Sequence, residues 1–315
     1  MTKLTATVTE VLSLGAEIKS FRLSAPGNHF ADAAPGAHVD IFLPNGLNRQ
    51  YSLWDWAEDG TWGAIGVKNE IGGRGGSTWL HENLTTGATI EIGAVRNNFK
   101  LDETADGHVL IAGGIGVTPM VQMARRLAAL GKSMKLYYLA RDEPAAGFTD
   151  ILQGLDLGDA LSCHVDGRDG IFDVADVLSK MPPNAQVYFC GPEPLLQAVL
   201  NSTKDWPAER VHYERFSADP TLSDAPTSGF EVVLAKSGQT FQVRDDLSIL
   251  DVLIDNGLDP DFGCMDGVCG SCTTGVVEGD VDHRDATMSA EEHDDARTMC
   301  ICVSRAKGAR LVLDM

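Results

Sequence analysis

Apolar and polar residues alternate with a period of two through much of the first hundred residues. The alternating segments are 4–8, 36–43, 62–67 and 88–92, and turn-forming residues separate them. A period of two is typical of β-strands that bury one face. Short strands at close intervals predict a small antiparallel β-barrel over residues 1–102.

From residue 107 the pattern changes to continuous apolar runs that alternate with helical periodicity. The runs cover 108–112, 134–140 and 186–190, and the helical stretches cover 120–130 and 193–205. Alternating strands and helices predict an α/β domain with a parallel sheet over residues 103–220, of the type that binds dinucleotides.

The remaining chain predicts a linker and a third domain. Residues 217–228 are rich in Pro, Asp, Ser and Thr, which favours a linker, placed at 221–228. In the domain 229–315 we expect a hairpin from 230–234 and 240–243, followed by a helix at 248–256. The fold class is therefore a multidomain protein with a β-barrel, an α/β domain and a smaller C-terminal domain.

The cysteines of this third domain have the spacing of an iron–sulfur site. Cys264, Cys269 and Cys272 form C-x4-C-x2-C, and Cys302 follows after 29 further residues. This is the plant-type pattern for a [2Fe-2S] cluster, in which one loop supplies three thiolates and a distant segment the fourth. We expect the glycines of the loop to let backbone amides approach the sulfur atoms.

Other uses of these cysteines fit less well. A zinc ribbon prefers two C-x2-C pairs, and the chain has one. Disulfides are disfavoured because no apolar run follows Met1, so we expect neither a secretory signal nor a membrane span, and a cytoplasmic location. Cys300 also competes for the role of fourth ligand, since alternate residues of a strand share a face. The spacing favours Cys302.

The charge of the chain limits its partners. The formal net charge of −20 argues against nucleic acid or an anionic membrane surface as a partner. Residues 229–315 carry 17 Asp/Glu against 7 Lys/Arg, a net of −10. Two interpretations stay open, a solvated acidic surface and a docking face for a basic redox partner.

Two motifs in the barrel segment suit a phosphorylated aromatic cofactor. Arg49-Gln50-Tyr51-Ser52 supplies a cation, an aromatic ring and a hydroxyl, while the glycine-rich stretch from Gly72 to Ser77 presents backbone amides around Arg74. Each motif alone fits an ordinary strand or turn. In this order, ahead of a nucleotide-binding domain, they favour a flavin.

Two further motifs predict a dinucleotide site. Gly113-Gly-Ile-Gly-Val-Thr-Pro119 follows a strand and opens a helix, where a pyrophosphate can sit. Cys190-Gly191-Pro192 ends a later strand, at the edge where open α/β sheets bind ligands. Arg141-Asp142 ends the second strand, where an adenosine ribose is read; Asp142 favours NADH and Arg141 favours NADPH.

Together, R-x-Y-S, G-G-x-G-[IV]-T-P, C-G-P and the cysteine pattern resemble the phthalate dioxygenase reductase family, within the ferredoxin–NADP reductase superfamily. The resemblance covers essentially the whole chain, including the Asp282-His-Arg-Asp285 segment. It implies a β-grasp ferredoxin domain at the C-terminus, FMN and NADH as cofactors, and a Rieske-type oxygenase as electron acceptor. It implies a monomeric NADH-dependent oxidoreductase without catalytic acids or bases. Gln50 stands where relatives often have Thr.

The resemblance also assigns residues to each cofactor. Cys264, Cys269, Cys272 and Cys302 are the implied cluster ligands. The implied flavin residues are Arg49, Gln50, Tyr51, Ser52, Val67, Lys68, Arg74, Gly75, Gly76, Ser77 and Phe216, the last also consistent with a core phenylalanine. The implied nucleotide residues are Gly114, Ile115, Gly116, Thr118, Arg141, Asp142, Cys190, Gly191 and Pro192.

Two other functions are consistent with parts of the pattern. One is an obligate electron-transfer subunit of a larger flavoenzyme, like that of some dihydroorotate dehydrogenases. Those subunits resemble the first two segments but carry closely spaced cysteines, whereas Cys272 and Cys302 here are far apart. The other is a redox sensor without turnover, which steady NADH oxidation with an artificial acceptor would distinguish.

Overall fold

A computed structural model describes residues 3–182, 184–216, 228–288 and 290–315. The chain divides into two compact units, residues 2–214 and residues 215–315. The first unit contains both the barrel and the parallel sheet, which the sequence predicts as separate domains. Most of the predicted linker at 221–228 lies outside the described residues.

The N-terminal segment forms the predicted barrel. Its strands close in the order β1-β2-β5-β4-β3-β6 with antiparallel neighbours. The sequence pattern had not marked β2. The barrel elements are β1 (Leu4–Ser13), β2 (Ile18–Ser24), β3 (His38–Phe42), β4 (Asn48–Trp56), β5 (Trp62–Lys68), α1 (Gly76–Asn83) and β6 (Thr89–Arg96).

The second segment forms the predicted parallel sheet, in the order β11-β10-β7-β8-β9. The chain leaves β7 for β8 on one side and later returns to β10 on the other. The carboxyl ends of β7 and β10 therefore flank the crevice where such sheets bind ligands. The elements are β7 (Gly107–Gly113), α2 (Thr118–Ala129), β8 (Ser133–Ala140), α3 (Thr149–Gln153), β9 (Leu161–Val165), α4 (Asp166–Asp169), α5 (Val174–Ser179), β10 (Gln186–Cys190), α6 (Glu193–Thr203) and β11 (Val211–Glu214).

A shared core explains why barrel and sheet form one unit. Trp54 of the barrel meets Phe148 edge to face, with ring centroids 5.7 Å apart, inside one buried cluster. Beside it, Asp55 Oδ1 accepts hydrogen bonds from Gln122 at 2.9 Å and from Arg125 at 2.6 Å, both on α2. These contacts hold the barrel, with its predicted flavin motifs, against the parallel sheet.

The C-terminal unit has a sheet in the order β13-β12-β18-β14-β16, with β12 and β18 parallel. The predicted hairpin and helix are present, and the helix begins with a capping box between Ser248 and Asp251. The elements are β12 (Phe230–Leu234), β13 (Thr240–Val243), α7 (Ile249–Asp255), β14 (Thr273–Glu278), β15 (Val281–Asp282), α8 (Ala290–Ala296), β16 (Thr298–Cys300), β17 (Arg305–Ala306) and β18 (Arg310–Leu313). In the described part of the chain, none of the helices has the length and apolar character needed to cross a bilayer.

Candidate redox sites

The cysteine loop directs backbone amides at its sulfur atoms. Cys264 Sγ accepts from the amides of Asp266 at 3.3 Å and Val268 at 3.4 Å. Cys269 Sγ accepts from the amides of Cys264 at 3.3 Å and Ser271 at 3.5 Å. Amide donors stabilise negative charge on sulfur, so the loop fits thiolate ligands of an iron–sulfur cluster.

Glycine permits the sharp turns of this loop. Gly267 and Gly270 both have φ of 69°. A β-carbon on Gly267 would also fall 2.6 Å from a methyl group of Val303. Both positions therefore favour glycine, for conformation at each and for space at the first, as the sequence predicts.

The structure brings two candidate fourth ligands near Cys272. Cys302 Sγ lies 3.2 Å from Cys272 Sγ, and Cys300 is also within its reach. Cys300 Sγ is already contacted by the hydroxyls of Thr273 at 3.6 Å and Thr287 at 3.5 Å. These contacts turn Cys300 towards a polar network, so Cys302 stays the predicted ligand. No disulfide joins any of the seven cysteines, all of which lie among the described residues.

The polar network behind Cys300 includes three side chains with metal-ligating atoms, His283, Asp285 and His293. His293 Nε2 lies 2.7 Å from Asp285 Oδ2, and its Nδ1 lies 2.9 Å from Thr298 Oγ1. The rings of His283 and His293 stack almost in parallel, at 7° and 4.8 Å. Imidazole lone pairs lie in the ring plane, so parallel rings do not converge on one ion. We interpret the group as a hydrogen-bonded structural network.

Arg49 and the glycine-rich loop meet at the start of α1. A β-carbon on Gly76 would fall 2.9 Å from Arg49 Nε, so a larger residue there would displace the arginine side chain. Gly75 precedes the helix with φ of 84°, and Arg74 is exposed. A cation beside the amides of a glycine-rich helix start fits a phosphate group. The structure thus brings together the two predicted halves of a phosphate site.

The other predicted flavin residues of the barrel have different surroundings. Gln50 donates its side-chain amide to Asp40 Oδ1 at 2.9 Å. Val67 is fully buried in the barrel core, and Lys68 pairs with Glu70 at 2.8 Å. Ser77 Oγ accepts the Glu70 amide at 3.0 Å. Burial raises the pKa of Tyr51, which keeps its phenol neutral.

The glycine motif after β7 and the Cys190-Gly191-Pro192 turn after β10 touch each other. A β-carbon on Gly116 would fall 2.3 Å from the Cys190 carbonyl oxygen, and one on Gly113 would fall 2.6 Å from Pro192 Cδ. Gly114 has φ of 55° and begins a 3₁₀ turn with Ile115, and the buried Thr118 hydroxyl donates to the Ile115 carbonyl at 3.0 Å. The predicted nucleotide residues of these two motifs therefore flank the crevice where the strand order reverses.

The barrel and the sheet meet at a residue that the sequence analysis missed. Ser52 Oγ donates to Glu214 Oε2 at 3.4 Å, and Glu214 is the strand neighbour of Cys190. Burial raises the pKa of Glu214 to about 8, opposed in part by the Ser52 hydrogen bond. A carboxyl group that is neutral near pH 7 can donate or accept a hydrogen bond without adding charge to the site. The only signal for Glu214 in the sequence is its position two residues before Phe216.

Arg141 and Asp142 directly follow β8, and Phe216 belongs to the second compact unit. Asp142 accepts the Ala145 amide at 3.1 Å and pairs with Arg141 at 2.9 Å. Both side chains are substantially exposed, which suits contact with a nucleotide. Phe216 is 43% exposed, so it is not the core phenylalanine that the sequence also allowed. Its role beside a flavin stays a prediction.

Comparisons with known proteins agree with this arrangement. The family model for 2Fe-2S iron-sulfur cluster binding domains matches residues 232–307. A model for the N-terminal domain of DmmA-like dimethylamine monooxygenase subunits matches residues 89–210. The chain is thus an iron–sulfur protein whose second segment is similar to part of an oxygenase component.

Similarity to individual proteins extends over nearly the full length. The tetrachlorobenzoquinone reductase of Sphingobium chlorophenolicum is 40% identical over 98% of this chain and 97% of its own. The phthalate dioxygenase reductase of Burkholderia cepacia is 39% identical over 95% and 93%. A solved phthalate dioxygenase reductase structure, described as modular for electron transfer from pyridine nucleotides to [2Fe-2S], matches with a TM-score of 0.75 at 37% identity, over 99% and 98%.

Proposed function

The chain belongs to the phthalate dioxygenase reductase family, and we propose that it carries electrons from NADH through FMN and a [2Fe-2S] cluster to a Rieske-type oxygenase. It is an oxidoreductase that works with flavin, a nicotinamide nucleotide and an iron–sulfur cluster. Within this proposal, NADH is preferred over NADPH, the flavin is FMN and not FAD, and the acceptor carries a Rieske centre. The protein is a monomer located in the cytoplasm.

The observation that carries the proposal is the meeting of Ser52 and Glu214 beside Cys190. This point lies where the flavin motif of the barrel faces the nucleotide crevice of the sheet. A bound flavin supplies the chemistry that joins hydride transfer to single-electron transfer. The residues of the chain bind and orient the flavin and the nucleotide. Arg49 and the loop at Gly75 take the phosphate, and the glycines of the crevice admit the dinucleotide.

The neutral state of Glu214 suits this role. With its pKa raised to about 8, the carboxyl group adds little negative charge near the point where a hydride is transferred. Ser52 and Glu214 thus present neutral hydrogen-bonding groups in a partly buried site. In this proposal the reaction requires no acid or base from a catalytic triad.

An anaerobic titration tests the proposal. NADH added to the purified holoprotein should bleach the flavin absorbance and produce the electron paramagnetic resonance signal of a reduced [2Fe-2S] cluster. An added Rieske-type oxygenase component should then be reduced and show its own distinct signal. Flavin reduction without cluster reduction would contradict the electron path. Cluster reduction without electron transfer to any oxygenase component would contradict only the proposed acceptor and not the electron path.

A second candidate function follows from the tetrachlorobenzoquinone reductase relative, which is similar over nearly the whole chain. We propose halogenated quinones as the alternative acceptor. Comparing kcat/KM for a chlorinated benzoquinone with that for an oxygenase component would separate the two. A higher value for the quinone would assign the chain to quinone reduction.

A further inference from the structure

His38 is a buried side chain whose two ring nitrogens lack partners. It lies in β3 and is 4% exposed, yet neither Nδ1 nor Nε2 has a hydrogen-bond partner among the described residues. Buried polar groups are nearly always paired, so an unpaired histidine in a barrel needs an explanation. A buried imidazole with both nitrogens unpaired is available for a hydrogen bond that forms when nearby side chains rearrange on binding.

The strand register places His38 beside the proposed flavin site. Its cross-strand partners are Ser52 on β4 and Arg96 on β6. Direct partners in an antiparallel pair point to the same face, with β-carbons about 4.5–5.5 Å apart. His38 is therefore the lateral neighbour of Ser52, whose hydroxyl donates to Glu214.

The charge state of His38 limits what it can do. Burial, and secondly the positive charge of Arg96, lower the pKa of His38 to about 4. The imidazole is therefore neutral near pH 7 and offers one N–H donor and one lone pair. Since Arg96 pairs with Asp40, the arginine remains beside His38 as a fixed positive charge.

The Ser52 hydroxyl has a single proton but two lone pairs. In the structure that proton goes to Glu214 across a long contact of 3.4 Å. A donor directed at the Ser52 oxygen from the side would occupy one lone pair and fix the orientation of the hydroxyl, so that its proton can turn from this long contact to a bound ligand. His38 is the neighbour on β3 that can supply such a donor.

We propose that His38 positions the Ser52 hydroxyl for the flavin, by donating a ring N–H to Ser52 Oγ when the cofactor is bound. The inference rests on the proposed function, because it assumes that flavin meets Ser52. His38 acts through Ser52 and is a positioning residue, not a catalytic one.

Flavin affinity in a double-mutant cycle tests this. Apoprotein is titrated with FMN, and the quenching of flavin fluorescence gives the dissociation constant for wild type, H38L, S52A and the double variant. Loss of one hydrogen bond should weaken binding in H38L by roughly three- to tenfold. In the S52A background H38L should have no further effect, because its partner is gone.

His108→Leu is the matched control. His108 is also buried, at 2% exposed, but it lies at the amino end of β7, away from the crevice. H108L should bind FMN as wild type does. Two results would overturn the proposal. One is an H38L variant that binds FMN as tightly as wild type, and the other is an equal loss of FMN affinity when H38L is made in wild type and in S52A.

Ring ¹⁵N chemical shifts provide a readout that does not depend on H38L folding. Histidine-labelled wild type should show one His38 ring nitrogen shifting on FMN addition, and S52A should not; His38→Gln identifies the resonance. An unchanged His38 signal in FMN-loaded wild type would overturn the inference. A wild type that binds no flavin at all would instead refute the proposed function.

Discussion

Gly116 lies against the backbone carbonyl of Cys190, so closely that a β-carbon on Gly116 would fall 2.3 Å from its oxygen. This contact joins the loop after β7 to the turn after β10, and both loops line the nucleotide crevice. Gly116→Ala should separate them, because a backbone carbonyl cannot move aside as a side chain can. We expect a loss of stability of about 1–3 kcal/mol and a raised KM for NADH.

Gly107→Ala is the control for this substitution. Gly107 begins β7, and a β-carbon there would meet its nearest neighbour, Ala185 Cβ, at 3.9 Å. Thermal unfolding and initial rates of ferricyanide reduction measure both variants. Equal unfolding temperatures and equal KM values for NADH in the two variants would show that the two loops tolerate separation.

Glu214→Gln should change how stability depends on pH. The pKa of Glu214 is raised in the folded protein to about 8, from an ordinary value of 4.5. The folded state therefore holds more protons, so its stability falls as pH rises from about 4.5 to 8. E214Q removes this dependence and should be more stable than wild type at pH 8 by about 1–2 kcal/mol, a modest value because the residue is partly exposed.

Thermal unfolding between pH 5 and pH 8 measures this difference. Glu209→Gln, at an exposed position just before β11, should follow the wild-type profile. Parallel profiles for E214Q and wild type would mean that Glu214 is ionised in the folded protein.

Cys302→Ser should abolish a stable cluster, whereas Cys300→Ser should retain it. Cys302 Sγ lies 3.2 Å from Cys272 Sγ, while the Cys300 sulfur contacts the Thr273 and Thr287 hydroxyls. Iron content and cluster absorbance of the purified variants decide the question. The reverse pattern would make Cys300 the fourth ligand.

NADH should be preferred over NADPH. Asp142 lies beside Arg141 at the end of β8, and its carboxylate would repel a 2′-phosphate. Asp142→Asn keeps an oxygen for the Ala145 amide but removes the charge. It should raise kcat/KM for NADPH relative to NADH roughly two- to fivefold, the scale of an exposed charge pair.

Ferricyanide reduction with each nucleotide gives these values without an oxygenase. Arg141→Ala is the opposing variant and should lower the activity with NADPH. A wild type that favours NADPH would show that Arg141 dominates the site.

The flavin released from the protein should be FMN. Arg49 and the loop at Gly75 form the proposed phosphate site, and the sequence shows no evident adenine-binding extension in the barrel. Chromatography of the heat-released cofactor identifies it. A stoichiometric yield of FAD would correct the cofactor and leave the fold unaffected.

Local patterns predicted most of the fold and the cysteine loop. The loop ligands lie within nine residues, and their spacing is itself the signal. Gly116 and Cys190 were found because each follows a strand in a recognisable motif. Alternation and apolar runs likewise located most strands, because burial of one or both faces is a local property.

Glu214 and His38 could not be found in this way. Glu214 acquires its raised pKa from burial that only the folded sheet provides, and the hydrogen bond from Ser52, 162 residues earlier in the chain, opposes this shift in part. His38 reads as one polar position in an alternating strand. Its neighbours Ser52 and Arg96 follow from the barrel register, which the pattern does not specify.

The division of the chain after Glu214 has an evolutionary consequence. The residues proposed for flavin and nucleotide, apart from Phe216, belong to residues 2–214, and the cysteines of the loop belong to residues 215–315. Substitutions that alter the cluster's surroundings therefore need not disturb the choice of nucleotide. Natural selection can adapt such a chain to a new electron acceptor by changing residues 215–315, while the electron donor used by residues 2–214 stays the same.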